Sequence, residues 1–597
     1  MSILKKILGL LTYSEKKNFY YLVILVLITA FLDILGIGFI FPFVSIVLDT
    51  SYINKNDTIN YIYNLSRDFG INSETQFVFF LGFCNFFFLI LSIGFRGLVN
   101  YLLIEFALLK EYSIGKRLAE GYLHQPYNWF LNQNSSNLGK NILSEVEKII
   151  TLVFLPFVNL IGQFFLSIVI FLFIFFINPK LSILTILILG GSYLIIFLSM
   201  KNFVKKIGIK RLEANNARYK ILSIAFGSYK EVKIMGLENK FTNFFSKPAK
   251  TYAETQTLSK LIAHIPRYFL ETIAFGGMLL LILILFYQGE NILETIPLVA
   301  LYLFAAYRLM PALQNIYASI SLIRFSEPAL NLLYSSLNNL KINEQKNTQS
   351  SSIIFKRYII LEDVSFKYSS SSKLTLKNIN LKIKAFSRVG IAGYSGSGKS
   401  TLLDIITGLQ YPTHGYLKVD EKIISNDNKK KWLKKIGYVP QNVYLTDASI
   451  AENIAYGEKE SEIDYKKIVN ICKIIDFNDF VTNKLAKGYN TIVGERGARL
   501  SGGQVQRIGI ARALYFEPEI VIFDESTSAL DHYSEDLIIN NIRKHLNKTI
   551  IIVTHRLATL KNCDIIFMMK NGKIVSKGKY NELLTNNKSF FKMGNLE

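Results

Sequence analysis

Apolar residues fill most of the first 330 positions in long runs, whereas the last 240 positions alternate short apolar runs with glycine-rich turns and polar helices. A helix needs about 20 apolar residues to cross the hydrocarbon of a bilayer. Six stretches satisfy that length, at 19–48, 76–104, 153–177, 181–200, 261–287 and 293–324. One such run is compatible with the core helix of a soluble protein, but 164–177 contains no charged residue and runs of this kind recur with loop-length gaps. The pattern predicts an all-α transmembrane half of six helices over 1–340, a polar linker at 341–356 rich in Ser, Asn and Lys, and a second domain over 357–597. A wholly soluble machine is thereby excluded.

Charge orients the spans. Between the fourth and fifth lie Lys201, Lys205, Lys206, Lys210, Arg211, Arg218, Lys220, Lys230 and Lys233, whereas 288–292 has no basic residue and 49–75 has only Lys55 and Arg67. Basic loops stay in the cytoplasm, so the N-terminus, 105–150, 201–260 and the second domain are expected there. The net charge of +23 then sits mostly at the cytoplasmic membrane surface, and no nucleic-acid partner is needed to explain it. The amphipathic stretch 1–17 lacks a small-residue cleavage site and reads as an interfacial lead-in, with no room for an N-terminal peptidase domain. Cys84, Cys472 and Cys563 have neither metal-site spacing nor a disulfide pattern. In the first outer loop, 58–70, Ile59, Ile62, Leu65 and Phe69 with Tyr61 and Tyr63 predict a short helix with its apolar groups largely on one side, suited equally to the outer interface or to plugging the loop.

The second domain carries the chemistry. A strand-like run, 388–392, enters the turn Gly393-Tyr394-Ser395-Gly396-Ser397-Gly398-Lys399-Ser400-Thr401, and a helix-like run leaves it. Gly393, Gly396 and Gly398 let successive N–H groups and the helix N-terminus point at phosphate oxygens. Lys399 reaches the β- and γ-phosphates of ATP, and the Ser400 hydroxyl ligates Mg2+. A buried strand, 520–523, ends in Asp524, a magnesium ligand, and Glu525, placed to orient the attacking water. Leu500-Ser501-Gly502-Gly503-Gln504 precedes a helix and makes a second anion-binding N-terminus. Together they predict an α/β P-loop ATPase that takes ATP and Mg2+.

These motifs resemble the nucleotide-binding domain of ABC transporters. The resemblance implies further roles: Tyr368 stacks on adenine, Gln441 is the Q-loop residue and a metal ligand, 494–497 precedes the signature, 528–531 is the D-loop and His555 is the switch histidine. It also implies a homodimer, with the 500–504 signature of one chain facing the 393–401 loop of the other. In the first half, 127–140 and 227–245 resemble the coupling elements of type IV exporters. Most of the chain is similar to the PglK-like flippases of lipid-linked oligosaccharides, notably at 32–47, 94–101, 265–271 and 305–311. That likeness implies an undecaprenyl-pyrophosphate-linked glycan as cargo, moved from the cytoplasmic to the periplasmic leaflet for protein N-glycosylation, with Arg96, Arg267 and Arg308 meeting the pyrophosphate. At 315, where the subgroup has an arginine, this chain has Asn. Charges inside spans are costly, and the residues alone allow Arg267 a helical partner in Glu271, four positions on, but show no local acid for Arg96 or Arg308. An exporter of another lipid, drug or peptide, or a membrane-anchored regulatory ATPase, would use the same engine.

Overall fold

The computed structural model describes residues 3–594, apart from positions 49, 51, 56, 69, 72, 178, 180, 181, 184–186, 188, 189, 288–291, 341–352, 369, 370 and 527–530. The chain forms two compact units, one of residues 1–125 and 129–343 and one of residues 126–128 and 344–597. The expected fourth span, 181–200, and the linker fall partly outside the described residues.

The first unit is helical: α1 (Ile3–Leu10), α2 (Tyr13–Leu48), α3 (Asp57–Arg67), α4 (Glu74–Leu123), α5 (Leu155–Ile177), α6 (Gly191–Gly227), α7 (Glu238–Tyr287) and α8 (Ile292–Asn339). At 1.5 Å rise per residue, a helix of 50 residues such as α4 or α7 is about 75 Å long, far more than the hydrocarbon of a bilayer. Among the described residues, Glu74–Leu123 and Ser135–Phe176 are long and apolar enough to cross a membrane. The helices pack in pairs, α2 on α4, α5 on α8, α6 on both α7 and α8. At the α6–α8 crossing a Cβ on Gly208 would collide with the Phe325 carbonyl oxygen, so glycine is what lets the backbones touch. Ile7, Leu10, Leu103, Ile149, Phe154, Leu330 and Leu333 close one core beneath α1.

Before α5 the chain is irregular: Ser135–Lys140 is α-helical, Asn141–Glu145 and Ile150–Phe154 are π-turns, and Val146–Ile149 lies between them. A buried charge cluster sits on this segment. The Glu145 carboxylate, fully buried, accepts from Arg211 Nη1 at 2.8 Å and from Asn215 Nδ2 at 2.8 Å, and faces Lys140 Nζ at 3.9 Å. Lys140 donates in addition to the Asn216 amide oxygen. Two cations share one carboxylate, and Arg211 Nε and Nη2 are buried without a partner.

The outer helix α3 differs from the expectation of one apolar side. Ile59 and Tyr63, four residues apart, pack with Ile46, Ile53, Phe77 and Leu81, whereas Tyr61 and Leu65 form a second stripe that is exposed. Residues i and i+4 share a face, so the five described apolar positions divide between two; the sixth, Phe69, lies outside the described residues. The three cysteines are free, Cys472 and Cys563 buried and Cys84 partly so.

The second unit holds two sheets. Strands β1 (Tyr358–Phe366), β2 (Leu376–Lys384), β4 (His414–Val419) and β5 (Lys422–Ile423) form an antiparallel sheet in the order β2-β1-β4-β5. Strands β3 (Arg388–Gly393), β6 (Ile436–Val439), β7 (Ile520–Asp524), β8 (Thr549–Thr554), β9 (Ile565–Lys570) and β10 (Lys573–Gly578) form the other, ordered β10-β9-β3-β8-β7-β6. All its pairings are parallel except β10 with β9. Every residue of β3 and β8 is buried, as strands covered on both faces must be. Three neighbouring strands, β3, β8 and β7, therefore end at one edge, and their C-terminal ends build the site.

Candidate nucleotide site

β3 delivers the chain into the glycine loop, and helix α9 (Lys399–Ile406) leaves it. Gly396 at φ +78° and Gly398 at φ +101° occupy the left-handed region, which glycine enters without steric cost. At Gly393 a Cβ would lie 2.6 Å from the Met569 carbonyl oxygen. The loop curls around the Lys399 ammonium, which donates to the Gly393 carbonyl at 2.9 Å and the Tyr394 carbonyl at 3.2 Å. The Ser397 hydroxyl is buried with no hydrogen-bond partner. An orphaned donor beside a buried cation and a helix N-terminus is what a phosphate group satisfies.

Glu525 gathers the rest. It follows β7 with φ +48°, a conformation unusual for a residue with a side chain, held by its own N–H donating to the Val553 carbonyl of β8 at 2.8 Å. Its Oε1 lies 3.5 Å from Lys399 Nζ. Its Oε2 accepts from Gln441 Nε2 at 3.3 Å and lies 3.6 Å from His555 Nδ1, just past the end of β8. One carboxylate thus links Lys399 of the glycine loop, Gln441 and His555. The adjacent Asp524 carboxyl is raised above its ordinary range, chiefly by burial, with the Glu525 charge adding to it. Ser400 is exposed at the N-terminus of α9, and its hydroxyl, the Asp524 carboxylate and the Gln441 amide oxygen are the hard oxygen donors that Mg2+ takes alongside phosphate oxygens. These donors complement phosphate oxygens, so they fit a metal that arrives with the nucleotide.

Tyr368 reaches the same loop. Its hydroxyl meets Thr401 Oγ1 at 3.0 Å and its ring stands edge-on to Phe366. Ser501 caps helix α10 (Gly502–Tyr515): Ser501 Oγ accepts from the Gln504 N–H at 3.4 Å and the Gln504 side chain accepts from the Ser501 N–H at 2.8 Å. No hydrogen bond or ion pair among the described residues joins 501–504 to 393–401. The expected D-loop residues Ser528, Ala529 and Leu530 lie outside the described residues, and Asp531 caps the helix that follows, accepting from the Ser534 N–H at 2.9 Å.

Two residues that motif reading passes over belong to this site. Tyr438, on β6, donates its hydroxyl to Asp524 Oδ2 at 2.7 Å. Asp404, on α9, is pushed up to about 6 by burial and by the Asp524 charge. The signal for Tyr438 is indirect: it sits three residues before Gln441 on the strand that pairs in parallel with β7. Removing one hydrogen bond to a charged group costs about 1.5–3 kcal/mol. Tyr438→Phe is therefore expected to raise the Mg2+ concentration for half-maximal ATPase activity by about tenfold or more, read from a magnesium titration of the purified protein. An unmoved midpoint would reduce Tyr438 to packing.

Of the membrane arginines, Arg96 departs from the expectation, whereas Arg267 has the helical partner that the sequence allows. Arg96 is not without an acid: its Nη2 donates to both oxygens of Asp33, which Ser92 also contacts. Asp33 lies on α2, 63 residues away, so no local pattern reveals the pair. Arg267 donates through Nε to Glu271, one helical turn on. The arginine side chains remain 49% and 54% exposed. The side chain of Arg308 lies outside the described residues.

A helical unit with apolar helices long enough to cross a membrane, joined to a P-loop domain, defines a membrane transport ATPase. Residues 19–287 match the ABC transporter transmembrane region and residues 376–528 match the ABC transporter ATPase family. The chain is 31% identical to the leukotoxin translocation ATP-binding protein LktB of Pasteurella haemolytica-like sp. (strain 5943B), over 84% of this chain and 70% of that protein. It is 30% identical to the leukotoxin export ATP-binding protein LtxB of Aggregatibacter actinomycetemcomitans, over 83% and 69%. It belongs to the ABC transporter family. A bacterial Atm1-family ABC exporter with ATP bound shares the fold, with a TM-score of 0.77 at 21% identity over 97% of this chain and 99% of that one. ATP hydrolysis coupled to translocation follows from the family.

Proposed function

We propose that the protein is an ATP-driven flippase, a homodimer in the bacterial inner membrane with its N-terminus and ATPase in the cytoplasm. Its cargo is an undecaprenyl-pyrophosphate-linked oligosaccharide, moved to the periplasmic leaflet for protein N-glycosylation. In each sandwich the 393–401 loop of one chain and the 501–504 signature of the other enclose one ATP. Bound Mg2+ neutralises charge on the phosphates. Lys399, Ser400, Gln441 and Asp524 hold the nucleotide and its metal, Tyr368 stacks on the base, and Glu525, steadied by Gln441 and His555, orients the attacking water. ATP binding closes the sandwich and hydrolysis resets it.

The observation that carries the cargo is the pair of half-exposed guanidinium groups, Arg96 and Arg267, within or at the ends of the expected membrane spans. Such groups are expensive in a membrane, and each has a single carboxylate against it, leaving N–H groups for an incoming pyrophosphate. In the test, Arg96, Arg267 and Arg308 are changed together to Gln, with Asp33→Asn and Glu271→Gln included so that neither partner carboxylate is stranded. Flipping of a labelled lipid-linked glycan, scored in proteoliposomes by access to an external glycan-modifying enzyme, is expected to fall by at least about 100-fold while basal ATPase persists. Unchanged flipping by the folded variant removes the arginines from the cargo site. A second reading, export of a peptide or protein, is favoured by the relatives named for leukotoxin translocation and export. It is distinguished by whether peptide rather than glycolipid stimulates the ATPase.

A further inference from the structure

Where α6 and α8 cross, two cations share one carboxylate. Lys205 Nζ, on α6, lies 3.3 Å from Glu327 Oε1, and Arg324 Nη1, on α8, donates to Glu327 Oε2 at 2.9 Å. The Glu327 side chain is 11% exposed, whereas those of Lys205 and Arg324 are 46% and 36% exposed. Neither cation makes another hydrogen bond or ion pair among the described residues. One carboxylate therefore pins both cations and neutralises only one of them. Bonded to the two oxygens of a single carboxyl group, they stand close enough for one phosphate to bridge them from the exposed side.

The crossing itself is fixed. Val204, Ile207 and Phe325, next to these charges in the chain, close an apolar cluster, and at Gly208 the α6 backbone rests on the Phe325 carbonyl. The expected fourth span ends at 200 and the sixth at 324, so Lys205 and Arg324 stand at headgroup level, on the side assigned above to the cytoplasm. Lys201, one turn before Lys205, and the exposed Lys206 and Lys210 add positive charge to α6, whose sole acid is Glu213. Basic residues just cytoplasmic of membrane helices attract anionic headgroups. Arg324, engaged through Nη1 alone, keeps the rest of its fork for phosphate oxygens. A zwitterionic headgroup brings a cation of its own and gains less from this excess charge.

We propose that Lys205 and Arg324, held by Glu327, form a binding site for the headgroup phosphate of an anionic phospholipid of the inner leaflet. The membrane placement rests on the flippase reading; the lipid is a resident of the bilayer and not the cargo.

The experiment uses the full chain in phosphatidylcholine vesicles that contain a phosphatidylglycerol carrying a diazirine on its headgroup. Saturable photolabelling is expected on the peptides around Lys205 and Arg324. Unlabelled phosphatidylglycerol should compete, and inorganic phosphate should not. One charge near an anionic headgroup is worth about fivefold in affinity. Glu327→Gln, which adds one net positive charge at the site, is therefore expected to strengthen labelling by about fivefold. Lys205→Gln with Arg324→Gln and Glu327→Gln, which removes one net positive charge and strands none, is expected to weaken it by about as much. Labelling elsewhere, full competition by inorganic phosphate, or a Glu327→Gln protein that labels no better than the wild type overturns the proposal. The first two outcomes are read on the wild-type protein, so they decide even where a variant fails to fold. Glycolipid flipping is measured in parallel: flipping without labelling at the site rejects the site and keeps the flippase reading, whereas labelling at the site without flipping by the wild type rejects the cargo and keeps the site.

Discussion

Glu525→Gln is expected to slow ATP hydrolysis by about 10²–10⁴-fold, the usual contribution of a positioned general base, while ATP still binds. The amide retains the shape of the side chain and can still contact Gln441 and His555, whose distances of 3.3 and 3.6 Å to Oε2 define its position. It loses the charge that polarises water. The φ of +48° and the N–H bond to Val553 belong to the backbone and persist, so the site stays assembled. Lys399 loses an anionic neighbour at 3.5 Å and keeps its two carbonyl partners, which leaves the phosphate loop intact. Phosphate release from the purified protein in lipid, with nucleotide retention measured on the same sample, checks both halves. Near-normal turnover would move the catalytic role away from Glu525.

The second large effect is on stability. Glu145→Ala is expected to destabilise the helical unit by about 3–5 kcal/mol, because deleting one partner of a buried ion pair leaves its cation uncompensated. Here two cations would be left, Arg211 at 2.8 Å and Lys140 at 3.9 Å, and Asn215 would lose an acceptor. Thermal unfolding in detergent should show a large fall in Tm or a loss of monodisperse protein. Adding Lys140→Met and Arg211→Met to Glu145→Leu should recover much of it, since an apolar replacement of a whole buried network is often neutral. If Glu145→Ala melted with the wild type, the cluster would not hold the π-turn segment to α6.

The ATPase half was readable in detail because its chemistry is local. The turn at 393–401 needs glycine at left-handed positions and a lysine at the start of the next helix, and the structure has Gly396, Gly398 and Lys399 in those places. The same holds for the capping box of Ser501 and Gln504, which is a four-residue pattern. Tyr438 escaped notice because its partner, Asp524, is 86 positions away and meets it only through the pairing of β6 with β7.

In the membrane half the apolar runs determined that helices form and roughly where, since length and hydrophobicity are properties of consecutive residues. The Arg267–Glu271 pair was also within reach, being one turn of one helix. Local order could not determine that Arg96 faces Asp33 across two helices, that Glu145 gathers charges from α6, or that α3 divides its apolar residues between two faces. Those outcomes depend on which helix packs against which, and in an apolar chain many pairings bury similar hydrocarbon area. Close approaches such as Gly208 on Phe325, and the need to give each buried charge a partner, select among them only once the helices are assembled.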